Sequence, residues 1–115
     1  MDVEKTRTEL MNAYPGCRVK VAEDQREMVA EISDTFAVAV IERSLPHFHR
    51  QTREVYRVLR GSLCVACGGQ GHVVEIGETI VIDPGQIHSA RATGEPAWIE
   101  VESAPPWSPT DHFIL

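Results

Sequence analysis

His47-Phe48-His49-Arg50-Gln51-Thr52-Arg53-Glu54 is the stretch on which the fold turns. Two imidazoles stand one residue apart, a carboxylate follows, and His88 adds a third imidazole later in the chain. These are the mixed nitrogen and oxygen donors that a divalent transition metal takes. One intervening residue puts His47 and His49 on the same face of a β-strand, about 6 to 7 Å apart along the chain. Phe48 then points the other way, into core or a partner. A helix would need the two histidines at i and i+4 to converge, so the spacing asks for a strand.

Strand-like runs surround this stretch. Upstream, Thr35–Glu42 is a nearly continuous apolar run, as in a strand covered on both faces, and Glu27–Ile32 and the weaker Cys17–Val21 precede it. Downstream, Val55–Arg60 alternates and stops at Gly61. Gly68-Gly69-Gln70-Gly71 reads as a hairpin loop between Leu63–Cys67 and His72–Ile76. Glu78–Ile82, His88–Ala92 and Ala97–Val101 complete the set. No helical period is visible from residue 17 onward. About eight strands without crossover helices make an all-β antiparallel sandwich or barrel.

The chain of 115 residues is enough for one domain with one core. Residues 1–16 read as a short helix or arm closed by a Pro15-Gly16 turn, and residues 17–102 as the barrel. Residues 103–115, with Pro105, Pro106 and Pro109, read as an extended surface tail outside the central sheet. The formal charge is -6 and no Lys/Arg cluster breaks it, so no nucleic acid partner is expected. No apolar run approaches the roughly 20 residues of a membrane span. The start, Met1-Asp2-Val3-Glu4-Lys5, has no apolar h-region behind it, so a cytoplasmic location is expected. Three cysteines make a poor disulfide framework. Cys64 and Cys67 sit at i and i+3 of a strand, facing opposite sides, and read as inert thiols rather than a redox or zinc pair.

The histidine segment resembles the first motif of the cupin superfamily, small β-barrels of jelly-roll type. That motif runs Gly, five residues, His-x-His, three or four residues, Glu, six residues, Gly, and here His47, His49, Glu54 and Gly61 fall in register. The second motif runs Gly, five residues, Pro-x-Gly, two residues, His, three residues, Asn, and Gly77, Gly85 and His88 match it. Three positions depart: Ile41 replaces the first glycine, Asp83 the proline and Ala92 the asparagine. None of the three is a metal ligand in the family. The resemblance implies a single-domain jelly-roll barrel in which His47, His49, Glu54 and His88 bind one divalent transition metal: Zn, Mn, Fe, Ni or Co. Four protein ligands on a six-coordinate ion leave two positions for other molecules. Neutral imidazoles are required, so metal affinity should fall below about pH 6.

Strand parity extends the candidate site. If Glu54 points inward, Tyr56 and Val58 do too, which makes Glu54 and Tyr56 the candidate catalytic residues. Counting back from His47, Leu45, Arg43 and Ile41 share its face, with Arg43 read as a rim salt bridge or a cation for an anionic substrate. Either Trp98 with Glu100, or Ile99 with Val101, faces the cavity. His72 and His112 read as ordinary surface histidines. Three functions fit. One is a metal-binding cupin that binds and transforms a small polar or carbohydrate-like molecule by an isomerase or lyase step. Another is an iron-dependent dioxygenase. The third is a binding or sensing module without turnover. The expected partner is a small-molecule ligand, and the expected assembly a homodimer covering exposed sheet edges.

Overall fold

The computed structural model describes residues 1–115. An N-terminal helix, α1 (Val3–Ala13), packs on a β-sandwich built from β1 (Arg18–Val21), β2 (Glu27–Glu31), β3 (Phe36–Ile41), β4 (Arg43–Phe48), β5 (Arg53–Arg60), β6 (Leu63–Cys67), β7 (Gln70–Val74), β8 (Thr79–Ile82), β9 (His88–Ala92), β10 (Ala97–Ala104) and β11 (Phe113–Ile114). The first sheet has the order β1-β2-β3-β10-β5-β8 and the second β11-β4-β9-β6-β7. Every pairing is antiparallel. Neighbours distant in sequence, such as β3 beside β10, give the jelly-roll winding that the family resemblance implied.

Two apolar clusters divide the work. The larger fills the space between the sheets with Ile41, Val58, Leu63, Val65, Ile82 and Ile99 among its buried members. The smaller lies under α1, where Leu10 packs with Met28, Val38, Val40 and Trp98. An isolated helix of this length is marginal in water. Two features hold it here: the Asp2 carboxylate accepts from the Lys5 N–H at 3.1 Å as an N-cap, and Leu10 is fully buried.

These clusters settle the choice on β10. Ile99 joins the inter-sheet core with Val101 packed against it, whereas Trp98 faces α1. On β5, Glu54, Tyr56 and Val58 are buried together, as alternation requires. Cys64 and Cys67 are free thiols, only the second of them buried. The β6–β7 hairpin is tighter than its four-residue loop reading. Cys67 pairs with Gln70 across Gly68 and Gly69, whose φ values of +60° and +81° suit a two-residue turn.

Two expectations fail, for identifiable reasons. Alternation back from His47 does not reach Leu45 and Arg43, which are exposed. The β4–β9 register shifts between Ser44 and His47, at Pro46, whose missing N–H favours a bulge and inverts the parity. Arg43 points outward toward Asp24 at 3.6 Å, the rim salt bridge. The tail is not wholly outside the sheets. Phe113 and Ile114 pair with Phe48 and His47 and form the second sheet's edge strand. Two bonded residues past the prolines are too short a run to show a period. No helix is long and apolar enough to cross a membrane.

Candidate metal centre

His47, His49, Glu54 and His88 each present one donor atom, and those four atoms lie within 4.8 Å of one another. His47 comes from the end of β4, His49 from just beyond it, Glu54 from β5 of the opposite sheet and His88 from the start of β9. All four are buried, with 8%, 2%, 6% and 2% of their surfaces exposed. Burying so many polar groups is costly unless each finds a partner. A surface depression of about 620 Å³ beside α1, lined by Glu9, Tyr14, Arg60 and Trp98 among others, shares no residue with this group. Donor convergence, not cavity size, marks the site.

The histidine tautomers follow from their backbone partners. Nδ1 of His47 lies 2.7 Å from the Leu45 carbonyl, Nδ1 of His49 2.8 Å from the Asp111 carbonyl, and Nδ1 of His88 2.9 Å from the Gln86 carbonyl. A carbonyl only accepts, so each Nδ1 carries the proton and donates. In the neutral rings each Nε2 then offers its lone pair to the centre, the second-shell arrangement that orients metal ligands. Nε2 of His49 and His88 lie 3.1 and 3.3 Å from Glu54 Oε1. These distances are short, but the alignment is not that of hydrogen bonds, and both nitrogens are buried without a hydrogen-bond partner. Orphaned lone pairs beside a carboxylate are the donor set that a cation satisfies. The residues present fit a divalent metal.

Electrostatics agree. Burial, reinforced by the nearby His88, pushes His47 down to about 4, so that ring is neutral at neutral pH. Burial also disfavours the charged form of His49, but Glu54 and the Asp111 carbonyl outweigh it and the net shift is upward. Burial alone would raise Glu54, yet His49 and His88 hold it down to about 2, an ionised carboxylate. The Tyr56 hydroxyl reaches Glu54 Oε1 at 3.4 Å, and burial beside that carboxylate drives its pKa well above the usual phenol value. Tyr56 is therefore a neutral donor beside Glu54.

Three further residues belong to this neighbourhood and escaped the sequence. Glu27 alternates with Met28 and Ala30, which pack under α1, so its side chain shares the inward face with Val29. It is half-buried, and burial plus the charges of Glu54 and Asp24 push its carboxyl up to about 7. His112 is no ordinary surface residue. Its ring stacks on His47 at 4.6 Å and lies 5.2 Å from His49. Asp111 accepts from the backbone N–H groups of Arg50, Gln51 and Thr52 at 2.7, 3.0 and 3.2 Å while its carbonyl holds His49. These contacts span about 60 positions of sequence, and no local pattern encodes them. His72, by contrast, is exposed on β7 as expected.

A small barrel whose two sheets aim three imidazoles and one carboxylate at a common point defines a class of protein. A family model described as Cupin domain matches residues 35–101, and the chain belongs to that family. Among solved structures it is similar to Pac13, a nucleoside dehydratase, with a TM-score of 0.74 and 10% identity over 89% of this chain and 87% of that one. Variants of the Streptomyces protein have been solved with uridine. It is also similar to KdgF from Halomonas sp., with a TM-score of 0.63 and 16% identity over 81% and 89% of the two chains. A recombinant oxalate oxidase in complex with glycolate gives a TM-score of 0.54 and 25% identity over 65% of this chain and 41% of that one. Pac13 and KdgF, at such low identity, share the fold. Among curated protein sequences none matches significantly.

Proposed function

We propose that this cupin holds one divalent transition metal at His47, His49, Glu54 and His88, and there binds a small polar, oxygen-rich molecule that it transforms by elimination or isomerisation. The observation that carries the proposal is the trio of imidazoles pinned through Nδ1–H to backbone carbonyls, with two buried Nε2 lone pairs lacking a hydrogen-bond partner. When bound, the ion would polarise an oxygen of the ligand and acidify the position beside it. Glu54 contributes a negative ligand. Tyr56 donates its O–H while staying neutral. Glu27, half-buried on the inward face of β2, takes or returns a proton at its Oε atoms. The fold shared with a nucleoside dehydratase supports an elimination.

A second reading, an iron-dependent dioxygenase, draws on the 25% identity to oxalate oxidase. Calorimetry separates the readings, with uridine and glycolate as probes against chelated and metal-loaded protein, alongside an oxygen electrode. Metal-dependent binding without oxygen uptake supports the first reading; oxygen uptake with glycolate supports the second. Identical behaviour of chelated and loaded protein overturns both. We further propose a cytoplasmic homodimer. The exposed apolar residues Val73, Ile76 and Val81 on and beside β7 and β8 offer it a contact surface.

A further inference from the structure

The C-terminal segment carries a fourth imidazole beside the candidate metal centre, and its chemistry differs from the other three. His112 is not among the converging donors. Its ring lies nearly parallel to His47, at 4.6 Å and 24°. Trp107 Nε1–H points at His112 Nδ1 over 3.3 Å. An indole nitrogen can only donate, so Nδ1 must offer a lone pair. That requirement excludes the imidazolium and fixes the proton on Nε2. A protonated Nε2 cannot ligate a metal; it donates a hydrogen bond.

The segment that carries it is anchored on several sides. Asp111 holds the backbone of residues 50–52, Phe113 stacks on Phe48 at 5.1 Å, and Ile114 pairs with His47. Lys20 on β1 places its ammonium 5.3 Å from the Trp107 ring. The segment thus touches β1, an edge strand of the first sheet, and pairs with β4 of the second, beside the donor cluster.

We propose that His112 donates its Nε2–H to the small molecule that completes the coordination of the metal, which selects ligands presenting an anionic or carbonyl oxygen, or another acceptor, on that side. Trp107 is a positioning residue that sets the tautomer. The inference rests on the metal site proposed above, and its test is chosen to fail separately from it.

The protein is loaded with Co(II), its Co(II) affinity is measured, and azide is titrated as an acceptor-only probe by the visible absorption of the ion. His112→Phe keeps a flat ring on His47 but removes the donor. It should weaken azide binding about tenfold, the scale of one hydrogen bond to a charged acceptor, while Co(II) affinity stays within about twofold. His112→Gln, which keeps an N–H donor, should restore most of the loss, and Trp107→Phe should give an intermediate one by freeing the tautomer. Unchanged azide affinity in His112→Phe overturns the proposal. So does a parallel fall in Co(II) affinity, which would make His112 a ligand or a structural prop. If wild-type protein retains no Co(II), the metal site itself falls and the donor role falls with it.

Discussion

Replacing Glu27 by Gln should stabilise the metal-free protein, by an amount that depends on pH. Glu27 sits on the inward face of β2, and its carboxyl rises from 4.5 to about 7 because of burial, then Glu54, then Asp24. The folded state therefore holds the proton more tightly than the unfolded chain does. Stability from the neutral carboxyl is fully present below pH 4.5 and is lost as pH climbs through about 7. At roughly 1.4 kcal/mol per pH unit, the full shift corresponds to about 3 kcal/mol. Glu27 is only half-buried, so about 2 kcal/mol is the better figure after screening. Gln keeps the shape and stays neutral. The difference between Glu27→Gln and wild type should be near zero at pH 4, grow between pH 5 and 7, and level off at about 2 kcal/mol by pH 8. Urea unfolding of chelated protein at several pH values measures it directly. A difference that stays flat from pH 4 to 8, or a variant less stable than wild type at pH 8, would refute the placement of Glu27 in the field of Glu54.

Other consequences are open to direct measurement. Leu10→Ala removes the fully buried anchor of α1 and should cost about 2 to 4 kcal/mol in denaturant unfolding, with metal binding retained. Asp111→Ala frees the backbone of residues 50–52 and loosens the carbonyl that orients His49, so metal affinity should drop about tenfold in a competition titration. A divalent ion added at about a hundred times its dissociation constant should raise stability by about 2.7 kcal/mol, and a chelator should reverse the shift in melting temperature. Light scattering after gel filtration should give twice the monomer mass, and Val81→Lys should reduce it; a monomeric wild type would remove the dimer.

Much of the site could be read from spacing because the strands are regular where the ligands sit. One residue between His47 and His49 puts both imidazoles inside and sends Phe48 out, where it stacks on Phe113. One residue between Glu54 and Tyr56 along β5 does the same for the carboxylate and phenol. Parity failed where the backbone departs from regularity. The bulge at Pro46 exposes Leu45 and Arg43, although counting from His47 puts them inside. Glu27 was illegible for another reason: an acidic residue beginning an alternating strand reads as solvated, and only the docking of α1 on Met28 and Ala30 shows which face is inward. His112 and Asp111 lie beyond the proline-rich segment, and their partners at residues 47 to 52 are set by tertiary contact alone. The motif departures proved mild. Asp83, at the proline position, pairs with Arg53 at 2.9 Å, and Ile41, at the glycine position, is a core residue.

The most direct measurement is the metal content of each chain after reconstitution with a divalent ion and gel filtration, for wild type, Glu54→Ala and His88→Ala. One ion retained per wild-type chain, and loss of most of it in both variants, is the expected result. A wild type that retains none, or variants that retain as much as the wild type, would contradict the assignment of the four side chains to a single metal centre.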